Sequence, residues 1–511
     1  MGLELVWFKR DLRTYDHPPL VDSTKSGEKV ACIFLVEPER LGQPDFDPIH
    51  LEWELDCANE LREEIEALGG SLDIRHEGII TALRDIHSKH PISIIRSHEE
   101  TGTEWSFERD RRVISWCRER GVEWIEYPTN GVIRGLDNRD KWKASRDSRM
   151  RLGLLDPPLV INGLPLLTEI PTMESLGMKG RGITHRPKPG QAEAWRTLSS
   201  FLEVRGEVYR WAMSGPSEAV VHCSRMSPYL SVGCISMRRV VQETTSRMRR
   251  LRELRSDGAD VGDWLKSLSS FQSRLAWHCH FIQKLESEPT LDTVAQNPLI
   301  DRNLGRKLDE VKFRAWADGM TGWPFFDACM RSLISTGWIN FRMRAMLMSA
   351  ASYNLWLPWR DAGLHLARLF LDYEPGIHWS QVGMQSGTTG INSVRAYSVT
   401  KQGRDHDPNG DFIKSWVPEL SAVPKEHIHE PWKMPGSLQE RIGLKIGTDY
   451  PLPIVDEAST RKEGVRMTYS ARRGGRTRQA SKRVYEKHGS RRVPRSRKRA
   501  KGHGTRQTKL F

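Results

Sequence analysis

Two short stretches in the second half of the chain group residue types that bind phosphate and a planar ring. Ser224-Arg225-Met226-Ser227 stands directly before a helix start. It offers two hydroxyls, a guanidinium and free backbone N–H groups together, a set suited to phosphate. Asp372, Glu374 and His378 lie in LDYEPGIHWSQVGMQSGTTG (371–390), a glycine-rich stretch following a helix. Glycines there fit a place where backbone comes close to a bound ring. The same half holds Trp264, Trp277, Trp316, Trp323, Trp338, Trp356, Trp359 and Trp379. Most belong in the core, because an indole buries a large apolar area. His278-Cys279-His280 offers two imidazoles, but on a helix residues two apart point about 200° apart and do not share an ion. Seven cysteines (Cys32, Cys57, Cys117, Cys223, Cys234, Cys279, Cys329) are scattered without a C-x-x-C. That argues against zinc, a four-cysteine cluster and a disulfide framework, so no metal site is expected.

Elements of two kinds must position these groups. In residues 1–130, apolar runs at 3–8, 30–36, 71–75, 92–96 and 122–126 alternate with amphipathic stretches. Leu51, Leu55, Ala58, Leu61, Ile65 and Leu68 recur at helical spacing, as do residues 105–120. The pattern predicts an α/β domain, a parallel sheet with helices on both faces. The first strand runs into Lys9-Arg10-Asp11-Leu12-Arg13 rather than G-x-G-x-x-G, which excludes a nicotinamide-type dinucleotide site. Residues 131–190 read as a loop-rich interdomain linker. From 191 to 450 the periodicity is helical, at 236–255, 261–286, 323–335, 341–355 and 364–372, and predicts one large all-α domain.

The 511 residues suit several domains with cores that need no staples. A mean hydropathy of −0.56 and the lack of any apolar run of about 18 residues exclude a membrane span. The opening MGLELVWFKRDLR has no signal-peptide character, so the expected location is cytoplasmic and nucleoid-associated in a prokaryote, or nuclear in a eukaryote. Net charge is +13, yet residues 461–511 hold 19 Lys/Arg against Glu463 and Glu486, leaving −4 for the rest. Residues 451–511 therefore read as a disordered basic tail able to neutralise nucleic-acid phosphates, with a targeting or solubilising role as the plain alternative.

In their order and spacing these pieces resemble the photolyase/cryptochrome family. VWFKRDLRTYDHPPL (6–20) is similar to its opening strand and loop, and SHEETGTEWSFERDRRV (97–113) and NGVIR (130–134) continue it. SRMSPYLSVGCIS (224–236), FQSRLAWHCHF (271–281), TGWPFFDACMRSLISTGWINFRMR (321–344) and RDHDPNGDFIKSWVPEL (404–420) follow in family order. The resemblance implies an antenna domain at 1–130 and an FAD-binding domain at 191–450. It also implies a second antenna chromophore of unknown identity and a monomer acting on UV-damaged DNA. Tyr209, Ser224, Arg225, Met226 and Ser227 are implied at the flavin phosphates and ribityl chain. Phe271, His278, Arg344, Asp372 and Glu374 are implied at the ring. Trp277, Arg274, His378 and Asn340 are implied as catalytic, with Trp277 stacking on the lesion, and Trp277, Met384 and Arg395 as facing DNA.

The same resemblance exposes departures. Arg274 fills a slot usually held by a glutamate that bonds the dimer, Cys223 one usually held by threonine, and Met384 one usually held by a second aromatic. His378 takes the slot facing flavin N5, usually asparagine, and is expected to titrate near neutrality. In the photoreduction chain the first slot is Val382, the middle one is Trp359 and the outer one falls near Arg306. Trp379 and Trp356 are candidates for a rerouted chain. The expected activity is a deoxyribodipyrimidine photolyase-type carbon–carbon lyase using reduced FAD, with a cryptochrome-like photoreceptor as the alternative. Finally, Gln507-Thr508-Lys509-Leu510-Phe511 resembles the Q-x-x-L-F motif that docks on a bacterial sliding clamp.

Overall fold

The computed structural model describes residues 2–489 apart from 137 and 167, so the clamp-like motif at 507–511 lies outside the described residues. Strands β1 (Leu3–Phe8), β2 (Lys29–Leu35), β3 (Leu72–Arg75), β4 (Ile92–His98) and β5 (Glu123–Tyr127) form one parallel sheet in the order β3-β2-β1-β4-β5. Alternation of side chains explains its two covered faces. Leu5, Trp7, Ile33 and Leu35 pack with the helices Ile79–Lys89 and Glu104–Arg120. Val6, Phe8, Cys32 and Phe34 face the helix Pro48–Ala67 and share their core with the helical half.

The junction explains why β1 ends in charges. Arg10 donates to the carbonyls of Ser231 at 2.9 Å and Tyr373 at 3.2 Å, and pairs with Glu374 at 2.9 Å. The Leu12 N–H donates to Val232 O at 3.0 Å. Gly233 has φ +75, and a Cβ there would lie 2.2 Å from Arg10 O, so the close approach requires glycine. The loop 9–13 thus clamps the 224–236 segment and the 372–374 turn to the sheet.

After the helix Trp142–Arg149, the 131–190 stretch runs largely without helix or strand and touches β2 through a bridge between Val30 and Gly163. The helical half contains Met237–Ser256, Trp264–Ser287, Pro324–Thr336, Phe341–Ser349, Trp359–Leu369 and Pro375–Ser386. The expected 364–372 helix starts earlier, after Pro358, and stops at Leu369, freeing Asp372 for the site. The expected 341–355 helix continues beyond Ser349 only as a wide turn through Asn354.

The tail expectation needs correcting. Residues Glu457–Ala471 and Gly475–His488 are helices packed on the body. Gly464 lies so close to Tyr353 that a Cβ would sit 2.2 Å from the Tyr353 carbonyl. Asn303 donates to Ala471 O at 3.0 Å, and Asn297 reaches Ser481 Oγ at 3.0 Å. Small residues and side chain–backbone bonds, not an apolar stripe, dock these helices.

Candidate functional site

A cavity of about 310 Å3 opens in the helical half, walled by successive turns of three helices. Phe271, Arg274, Trp277, His278 and Phe281 line it from Trp264–Ser287, at the three- and four-residue steps that share one helix face. His378, Gln381, Val382 and Gln385 do the same from Pro375–Ser386. These two helices pack closely because Gly376 faces the Ile282 backbone, where a Cβ would lie 2.6 Å from Ile282 Cα. Asn340 and Arg344 enter at the start of Phe341–Ser349, and Tyr209 from a short helix beside Phe271.

One end is built for anions. Arg225 sits in the left-handed region at φ 60, its guanidinium 3.9 Å from the Trp338 ring centre and without a hydrogen bond among the described residues. Ser224, Met226, Ser227 and Cys223 line the same end. Arg205 donates to Ser224 O at 2.7 Å, which holds the segment in place. At the other end Arg344 makes a two-pronged pair with Asp372, at 2.9 and 2.8 Å, and donates to Ile339 O at 2.7 Å. Its guanidinium lies 4.1 Å from the Phe370 ring centre.

His378 is not poised near neutrality. Burial pushes its pKa down to about 4, and its Nε2 meets Gly363 O at 2.8 Å. It is therefore neutral at pH 7 with its proton on Nε2, leaving Nδ1 as a lone-pair acceptor. The structure thus corrects the expected titration. Buried atoms at this cavity also lack hydrogen-bond partners among the described residues: His278 Nδ1, Asn340 Oδ1, both amide atoms of Gln381, and Gln385 Oε1. Orphaned polar groups are costly unless a ligand satisfies them, so this lining fits a ring rich in nitrogen and oxygen carried on phosphates.

All ten residues expected to bind the cofactor, and Trp277, Arg274, His378 and Asn340, line this one cavity. Met384 is half-buried on the flank of its helix away from the cavity lining, and Arg395 is exposed. Trp379 and Trp359 meet edge to face at 5.9 Å, and Trp379 donates its indole N–H to Tyr373 Oη at 3.0 Å. Trp356 makes no ring contact with either among the described residues; it lies under Arg306, 4.7 Å from its ring centre. Sequence reasoning missed Gln381, Gln385, Tyr373 and Met213, although Gln381 and Gln385 share the helix face of His378.

A second crevice lies at the carboxyl ends of β1 and β2, where strand order reverses beside β4. It encloses about 80 Å3, because Arg109 fills it, bonded to Glu37 at 2.8 Å and Glu100 at 2.7 Å and lying 4.7 Å from the Trp7 ring centre. Small-molecule pockets run to about 300 Å3 and above. With Arg109 held there, the crevice leaves too little room for a second chromophore in this arrangement.

Residues 4–138 match the family model of DNA photolyase, and residues 271–470 that of the FAD binding domain of DNA photolyase. Together the two matches span well over half of the chain, which belongs to the photolyase/cryptochrome family. A cryptochrome DASH of Gloeobacter violaceus is 27% identical over 480 residues, covering 88% of this chain and 93% of the relative. A deoxyribodipyrimidine photo-lyase of Vibrio cholerae is likewise 27% identical, covering 92% and 100%. The crystal structure of a Synechocystis cryptochrome superposes with a TM-score of 0.80 at 22% identity, covering 91% of this chain and 99% of the other, a likeness of fold.

Proposed function

We propose that the protein is a light-driven DNA repair enzyme. With reduced FAD bound, it would pass one electron to a cyclobutane pyrimidine dimer, let the two carbon–carbon bonds of the ring open, and take the electron back. Bound FAD supplies the light absorption and the one-electron chemistry. The observation that carries this reading is the continuity of one helix face. Phe271 and His278, on the flavin side, share Trp264–Ser287 with Arg274 and the half-buried Trp277, so an aromatic surface for an extruded base adjoins the cofactor residues.

The chain's own groups divide the remaining work. Arg225, Ser224 and Ser227 hold phosphates, and the Arg344–Asp372 pair orients the ring edge. The neutral His378 offers Nδ1 to a ring N–H. Phe271, Leu275, Leu366 and Phe370 keep water from the reacting surface.

A second reading, a cryptochrome-like photoreceptor without repair, is favoured by one contact. The Arg274 guanidinium lies 4.6 Å from the Trp277 ring centre, on the indole that repair would use for stacking. Recovery of thymine absorbance from dimer-containing DNA, under blue light with the reduced protein, separates the two. Dimer splitting in single-stranded or duplex DNA is the expected result. A flavin that cycles in the light without splitting either substrate overturns repair in favour of the photoreceptor.

A further inference from the structure

Between the sheet and the helical half lies a cavity of about 200 Å3, distinct from the flavin cavity and touching it only at Leu230. Its charged lining is one-sided. Arg238 pairs with Asp16, but Arg13 and Arg149 bond only to carbonyls, Arg13 to Gly233 at 3.0 Å and Asp16 at 3.1 Å, Arg149 to Val132, Thr129 and Asn130. Among the described residues neither has a carboxylate within ion-pair distance. The 20-residue helix Met237–Ser256 begins at the same wall. Ser236 caps the Arg239 N–H at 3.0 Å, so the Met237 and Arg238 N–H groups are left for another acceptor at the positive end of the helix.

His98 adds an imidazole to the wall of this cavity. It is 4% exposed and lines the cavity, and its Nδ1 meets Asp11 Oδ2 at 2.6 Å. Asp11 also accepts from His17 Nε2 at 2.9 Å and from the Lys9 N–H at 2.7 Å. Burial opposes ionisation of Asp11, yet these imidazole N–H groups outweigh it and hold its carboxyl well below the ordinary range. Burial pushes His98 down to about 3. His98 is therefore neutral with its proton on Nδ1, and Nε2 is an acceptor with no hydrogen-bond partner among the described residues. Asp11, His17 and His98 lie within 4.8 Å of one another, a spacing that a metal ion tolerates. Their hydrogen bonds already engage both Asp11 oxygens and both His17 nitrogens, and the neighbouring Arg13 charge disfavours a cation.

A ligand for this cavity needs negative charge for Arg149, Arg13 and the helix start, and one O–H for His98 Nε2. We propose that the cavity binds a protonated phosphate group, free or carried on a small monoester. Its other wall, with Met150, Leu152 and Ile235, is apolar and suits an organic body on that phosphate.

The test titrates the FAD-loaded protein, whose own phosphate site is filled, with inorganic phosphate and with adenosine monophosphate by calorimetry. One saturable site is expected. Equal affinity for both probes assigns it to free phosphate, and tighter nucleotide binding assigns it to a monoester. Arg149→Met removes the uncompensated charge. Leu152→Glu places a carboxylate at the rim, on a residue 54% exposed. Either variant should weaken binding roughly tenfold or more while the flavin spectrum is kept. No saturable binding up to roughly 10 mM of either probe, or affinities unchanged in both variants, overturns the proposal.

Discussion

Arg344 is fixed at three points, two on Asp372 and one on a carbonyl, which leaves one planar arrangement to present to the cofactor. Asp372→Ala would leave that guanidinium one carbonyl bond. Because the Arg344 side chain is 23% exposed, the loss should be about 2 kcal/mol rather than the 3–5 kcal/mol of a fully buried pair. The expected outcome is a protein that folds but loses FAD on gel filtration, and a full flavin spectrum afterwards would show that the pair does not hold the ring. Electron supply depends on neighbouring residues. Val382 cannot be oxidised, whereas Trp379, three positions earlier on the same helix, touches Trp359. Trp356 lies against Arg306, which burial lowers only to about 10, so it stays charged at pH 7 and opposes a positive charge on that indole. Trp379→Phe should slow flavin photoreduction, followed by absorbance with thiol present, by roughly tenfold or more. Trp356→Phe should leave it unchanged; the reverse pattern would move the route to Trp356.

At the scale of elements, the docked C-terminal helices carry the clearest test. Gly464→Val would drive a side chain into the Tyr353 carbonyl and cost about 1–3 kcal/mol, as overpacking does. Faster tryptic cleavage within 472–488 is expected, with the flavin cavity intact; an unchanged cleavage rate would mean that the two segments do not pack tightly. These helices were hidden in the sequence for a physical reason. Their buried positions are Gly464, Thr468, Ala471, Thr477, Val484 and His488, too small or polar to make an apolar stripe among so many Lys and Arg. The five strands, by contrast, were legible to within a residue or two: β1 and β2, covered on both faces, are almost continuously apolar, and the outer strands keep a short apolar run between helical stretches. The expected flavin residues were implied by the family resemblance, and helical spacing added only that Phe271, Arg274 and His278 share one face. Gln381 and Gln385 escaped because an uncharged amide on a helix announces nothing until its neighbours are seen. The burial of His378, which keeps it neutral, and its contact with the Gly363 carbonyl, which places the proton on Nε2, belong to tertiary structure alone.

Across the whole molecule, burial makes histidine a source of acid sensitivity. His50 and His98 are pushed down to about 3 and His378 to about 4, all below the ordinary 6.5. The unfolded chain binds these protons first, so stability is fully present above pH 6.5 and falls as pH drops from there toward 4. Each group should contribute up to about 2 kcal/mol of loss at pH 5. The urea midpoint should therefore fall clearly between pH 7.5 and 5, and equal midpoints would mean that these histidines are not neutral in the fold.

Charge sets the last expectation. Residues 490–511 hold nine Lys/Arg and no Asp or Glu, whereas the helices before them are part of the body. Two truncations that both remove net positive charge should then behave differently. Ending the chain at Gly489 keeps the bonds that Asn297 and His488 make, so folding and FAD retention should survive. Affinity for undamaged DNA should fall, and its logarithmic dependence on salt should flatten by about 0.9 for each phosphate no longer neutralised. Ending it at Glu457 strips Tyr353, Ile300 and Leu304 of their cover and should lower the thermal midpoint before any DNA is added. Filter binding across a salt series, with melting curves of both proteins, decides it. If the chain ending at Gly489 keeps the full-length salt slope, the terminal charges do not reach DNA, and the cation side of the interface lies within the body.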